Sequence, residues 1–160
     1  EHGTYTDDET VGLFKEHDAV LVPTVLAGAT VTGWVNEPWL PAPSREKAAI
    51  IGLMMVETLR RARAGGVTVA FGTDTGVSKH GDNAGEFDLM IEAGYTPEEA
   101  IRTATVVASE HVEMADQIGT ISAGKHADII AVMGDPLKDI GELHDVDFVM
   151  KDGTVYKQVQ

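Results

Sequence analysis

The sequence contains no cysteine, which excludes disulfides, thiolate metal ligands and a cysteine nucleophile. It has no apolar run approaching the ~18 residues of a membrane-spanning helix. Basic residues are scarce: 12 Lys and Arg stand against 26 Asp and Glu, giving a net charge of −14 and a pI near 4.6. Binding to phosphate backbones or anionic membrane surfaces needs a basic face, so neither nucleic acid nor a membrane is expected as a partner. The bland reading of this charge is an acidic solvated surface. There is no G-x-G-x-x-G loop to cradle a dinucleotide, no low-complexity tract and no repeat of fixed period. The first residues, Glu1-His2-Gly3-Thr4, include neither a methionine nor a signal-peptide pattern, and the start is expected to be a cut. The expected compartment is the cytoplasm.

What is present is enough for one core, with 160 residues and 43% hydrophobic content. Thr6 followed by Glu9 has the form of a capping box and predicts a helix ending near His17. Ala19 to Val22 reads as a short buried strand stopped by Pro23. Thr24 to Pro43 lacks periodicity and carries both tryptophans, so it reads as a long functional or mobile connection. Trp34 and Trp39 would line a pocket from a lid or, the favoured reading, anchor that loop.

Ser44 is expected to cap a second helix, whose apolar residues Ala48, Ile51, Met55, Leu59 and Ala62 step by three or four until Gly65-Gly66. Val67 to Phe71 predicts a second strand. Asn83 with Glu86 three residues later is expected to open a helix to Gly94, and Thr96-Pro97-Glu98-Glu99 opens another. Beyond Asp116 the chain turns β-rich. Asp147 to Lys151 and Thr154 to Val159 flank Asp152-Gly153, a two-residue hairpin signal. Strand and helix alternate first, as in parallel βαβ units, and an antiparallel tail follows. The expected fold class is α/β: residues 1–115 form part of a (β/α)8 barrel and 116–160 a small β appendage.

In such a barrel reactive groups emerge at the C-terminal ends of strands. Asp74 directly follows the strand ending at Phe71-Gly72. His2 precedes a capped helix where an earlier strand would have ended. One strand and two helices fit between them, which places them two strands apart on one rim. Taken alone, each has an ordinary alternative: a solvated histidine, and an aspartate that forms a turn or caps a helix.

Six segments occur in order: Glu1-His2-Gly3, Val22-Pro23-Thr24, Phe71-Gly72-Thr73-Asp74, His80-Gly81-Asp82-Asn83-Ala84, Ala100-Ile101-Arg102-Thr103-Ala104-Thr105, and Gly119 through Asp128. Together they resemble the amidohydrolase superfamily, in particular its imidazolonepropionase-like and Xaa-Pro dipeptidase (prolidase)-like branch, over the C-terminal half only. The resemblance implies strands 6–8 of a TIM-type metal-dependent hydrolase barrel, with the tail as part of a small β-sandwich. It implies that His2 and Asp74 are metal ligands, with Asp74 also the catalytic base that takes a proton from the attacking water. The cofactor would be one or two divalent ions, zinc first. His80, on the loop past the last barrel strand, is a candidate substrate-binding residue, with a solvated loop histidine the equal alternative. His17, His111, His126 and His144 read as surface residues.

The implied activity is hydrolysis of an amide-type C–N bond in a dipeptide, an N-acyl amino acid or a cyclic amide. The alternative is a non-catalytic scaffold or assembly module. The family's other ligands, a His-x-His pair, a bridging lysine and a further histidine, have no place in this sequence. The implied partners are a small-molecule or peptide-like substrate, the remaining N-terminal portion of the barrel, and further copies in a homo-oligomer. The chain is thus expected to be an excerpt of a larger enzyme and inactive alone. A mass measurement on the purified polypeptide checks this: a monodisperse, cooperatively unfolding monomer of 17.1 kDa contradicts it.

Overall fold

A computed structural model describes residues 1–159. Helix α1 spans Asp8–Glu16 and is capped by Asp7, whose carboxylate accepts from the Thr10 N–H at 2.9 Å and the Thr10 hydroxyl at 2.7 Å. The expected cap, Thr6, is buried instead and donates its hydroxyl to the Gly3 carbonyl. Strand β1, Val20–Leu21, and strand β2, Thr68–Val69, pair in parallel, with Val20 opposite Thr68 and Leu21 opposite Val69. The Ala70 N–H extends the ladder by donating to the Leu21 carbonyl.

Between the two strands lie two helices, not one. Helix α2, Val25–Gly33, occupies the first half of the segment expected to be irregular. Its sequence, Val-Leu-Ala-Gly-Ala-Thr-Val-Thr-Gly, carries no charged residue, so no polar stripe betrays the helical period. Helix α3, Ala42–Ala64, begins two residues ahead of Ser44, with Pro43 in its first turn, and stops at Gly65 as expected. The two helices approach closely where Gly28 faces Gly52. A methyl group on Gly52 would lie 3.2 Å from the Ala29 Cα and from the Gly28 carbonyl oxygen. There the Thr32 hydroxyl donates to the Ala48 carbonyl at 2.7 Å and accepts from the Gly52 N–H at 3.0 Å.

After β2, a single 3-10 turn at Asp82–Ala84 leads into α4, Gly85–Glu92. Helix α5, Pro97–Arg102, starts with the expected capping box: Thr96 Oγ1 accepts from the Glu99 N–H and the Glu99 carboxylate from the Thr96 N–H. It runs through a π-helical turn, Thr103–Val107, into α6, Ala108–His111. Widening the helix there turns the Thr103 carbonyl to the Phe71 N–H, 3.1 Å away, at the exit of β2.

The core gathers these elements. Leu21, Val25, Leu59, Ala62, Met90 and Ala100 are fully buried within it, and burying a side chain such as Leu59 or Met90 contributes about 1.5–3 kcal/mol. Arg63 grips the Glu99 carboxylate at 2.9 Å and lies over the Tyr95 ring, joining α3 to α5. The tail forms one antiparallel sheet in the order β3 (Ile129–Ala131), β4 (Phe148–Lys151), β5 (Thr154–Gln158). Asp152 and Gly153, both at positive φ, make the expected hairpin turn. His144 holds the tail against α4 through Asp88, at 2.6 Å. The observed architecture is mixed α/β, with a parallel βααβ unit followed by helices and an antiparallel tail.

Replacing Gly52 with valine would press the side chain into the α2 backbone. We expect a loss of about 1–3 kcal/mol, measured by urea unfolding of the protein.

Candidate active site at the strand exits

Three residues with side chains adopt left-handed backbone at the exits of the parallel layer: His2 (φ 63°), Thr24 (φ 47°) and Asp74 (φ 49°). Such values are uncommon outside glycine and unfavourable for a β-branched residue like Thr24; they concentrate at functional sites. The His2 N–H donates to the Val22 carbonyl at 2.9 Å, which docks the chain start against the end of β1. The His2 ring then reaches Thr24, with Nδ1 2.6 Å from Oγ1. On the other side, Val22 leaves no room for a methyl group on Gly72, and Thr24 Cγ2 lies 3.8 Å from the same point. The exit of β1 is therefore flanked by His2 on one side and by Gly72, leading to Asp74, on the other.

Asp74 tips a turn whose flanks are pinned. Thr73 Oγ1 and Thr75 Oγ1 are 2.7 Å apart, and the Asn83 amide donates to both at 2.9 Å. Asn83 is thus a brace for the aspartate's loop and not the helix cap expected of it. The Asp74 carboxylate itself is exposed. His80 is exposed on the segment that follows, and no hydrogen bond among the described residues ties it to His2 or Asp74. The remaining histidines are exposed as expected: His17 ends α1, His111 ends α6, His126 contacts Asp152 and His144 contacts Asp88. Trp34 and Trp39 meet edge to face, with centroids 5.2 Å apart, and Trp39 remains largely exposed.

The spacing of Asn83 and Glu86 predicts that Glu86 caps its own helix. The structure turns it inward. It is fully buried and accepts the N–H of Val25 at 2.9 Å and of Leu26 at 2.7 Å, capping α2 from 61 residues away. Thr24, at the cap position, makes no cap bond because its hydroxyl faces His2. Burial pushes the Glu86 carboxyl up to about 7, against the two backbone N–H groups that lower it. The signal was legible in part: Glu86, Met90 and Ala93 follow a helical stripe, and the latter two face the core.

Histidine nitrogen and carboxylate oxygen suit a divalent cation in kind. They fall short in number, since a catalytic zinc site takes about three protein ligands and a water, and among the described residues no group of three or more His, Cys, Asp or Glu could hold a metal ion.

The Amidohydrolase family profile matches residues 1–157. The chain belongs to that family. It is similar to the solved structure of a Xaa-Pro dipeptidase with methionine in its active site, with 42% identity and a TM-score of 0.93, over 98% of this chain and 39% of that one. A prolidase complexed with N-methylphosphonate-L-proline is similar at 34% identity and a TM-score of 0.86, over 99% of this chain and 40% of that one. Ochratoxinase of Aspergillus niger is 32% identical over 98% of this chain and 33% of its own length. The chain thus spans about a third to two fifths of the relatives it matches.

Because the Glu86 carboxyl lies above its ordinary value near 4.5, the folded state holds a proton that the unfolded state releases between about pH 4.5 and 7. Stability should fall as pH rises through that window, by up to about 3 kcal/mol, and level off above it. Urea unfolding across pH should show this slope in the wild type and a flatter one in Glu86→Gln.

Proposed function

We propose that this chain supplies the C-terminal part, barrel strands 6–8 and their helices over residues 1–115, of a metal-dependent hydrolase of amide-type C–N bonds. Residues 116–160 contribute part of a small β-sandwich. The observation that carries the reading is the flanking of one strand exit by His2 and by the loop of Asp74, each held in strained backbone. His2 and Asp74 are two ligands of one or two divalent cations, zinc first. The remaining ligands come from the N-terminal portion of the barrel, the partner this chain requires. A divalent cation held there would supply a lowered pKa for water, towards about 7, and polarisation of the scissile carbonyl.

Asp74 accepts the proton of the attacking water and passes it to the leaving amine. Its exposed position suits that exchange, and Asn83 holds its loop while the charge changes. His80 contacts the substrate. The class of substrate follows the relatives: a dipeptide, as for the Xaa-Pro dipeptidase, or another N-acyl amino acid or cyclic amide. No helix among the described residues is long and apolar enough to cross a membrane. The exposed apolar side chains Tyr5, Ile50 and Leu53 support assembly with the rest of the barrel and into a homo-oligomer.

A non-catalytic scaffold is the second reading, favoured by the absence of a three-donor group among the described residues. Metal analysis of the full-length protein separates the two. We expect bound divalent metal and dipeptidase activity in the wild type, a lower metal load in His2→Ala, and activity reduced about 10²–10⁴-fold in Asp74→Asn. Unchanged metal content and turnover in both variants would overturn the hydrolase reading.

A further inference from the structure

We infer that Glu86 is a positioning residue for the metal-binding face of His2, acting through the first turn of α2 and the hydroxyl of Thr24. The inference rests on the proposed function for what His2 does, but its geometry stands apart from it. A helix that begins after a threonine has a simple way to satisfy its first N–H groups: the threonine side chain caps them. Here that solution is not used. Thr24 sits in left-handed backbone, which takes its side chain out of capping position, and its Oγ1 lies 2.6 Å from His2 Nδ1.

The vacated cap is filled by a carboxylate brought from α4, whose two oxygens take the Val25 and Leu26 N–H groups separately. Two unfavourable features, a strained β-branched residue and a fully buried acid, are thus accepted together. With the α2 N–H groups satisfied by Glu86, the Thr24 hydroxyl is free to hold the histidine. A contact at Nδ1 restrains the ring's rotation and leaves Nε2 turned towards a cation, and with Nδ1 donating to the Thr24 oxygen it also selects the tautomer that a cation at Nε2 requires, the usual way in which an outer contact orients a metal ligand. Among the described residues no hydrogen bond joins Glu86 to His2. Glu86 holds the turn from which Thr24 projects.

The decisive readout needs no metal. In the full-length protein labelled with ¹⁵N-histidine and freed of metal, His2 should show a single neutral tautomer protonated at Nδ1. Thr24→Ser should keep that signature and Thr24→Val should lose it. Glu86→Gln, which keeps the shape but can accept only one of the two N–H groups, should convert it to a mixture. The double variant Glu86→Gln/Thr24→Val should be no worse than Thr24→Val alone, because the two act in one chain. Cobalt affinity should follow, falling about tenfold in Glu86→Gln. A wild-type tautomer in Glu86→Gln, or effects of the two substitutions that add in full, would overturn the inference. If Glu86→Gln does not fold, Glu86→Asp, with one methylene less of reach, is judged by the same criteria. Since the spectrum is recorded without metal, it decides the matter even where cobalt binding fails and the hydrolase reading falls with it.

Discussion

The parallel pairing of two very short buried strands is the constraint on which the rest of the molecule depends. With Leu21 beside Val69 in one register, the exits of β1 and β2 point the same way, and whatever follows each strand arrives on the same side of the layer. A slip of one residue would turn Leu21 and Val69 away from the core. Register is therefore held by the same apolar side chains that supply the burial energy, and the positions of Thr24 and Asp74 are consequences of core packing before they are features of a site.

Local signals in the sequence were read well where the chain solves its own problems. The box at Thr96 and Glu99, the glycine stop after α3 and the Asp152-Gly153 hairpin each satisfy their backbone groups with neighbours a few residues away, so the pattern is visible in a short window. The strand cores around Leu21 and Val69 were legible as apolar runs. Their edges were not, because two residues of ladder are decided by which N–H finds a partner, such as Phe71 finding Thr103.

The departures from the expected elements share a cause. Helix α2 was missed because it is apolar around its circumference and its cap comes from Glu86, far along the chain. Asn83 and Glu86 have the spacing of a local cap, but Asn83 reaches the Thr73–Thr75 turn and Glu86 the first turn of α2. Asp7, which is exposed, caps α1 in place of the expected Thr6, which is buried. The positions of His2 and Asp74 beside the strand exits were legible in the sequence, and the residues that brace them were not. Bracing groups are chosen for where the fold carries them, and no short spacing records that.

The Thr32 hydroxyl, set between the Ala48 carbonyl and the Gly52 N–H, has a mechanical consequence. Those two groups are successive-turn partners within α3, so the threonine is stitched into the ladder of a helix to which it does not belong. Helices α2 and α3 cannot slide or rotate past one another without breaking that stitch. Thr24 stands immediately before α2, so a displacement of α3 would be passed through that stitch to the residue that contacts His2.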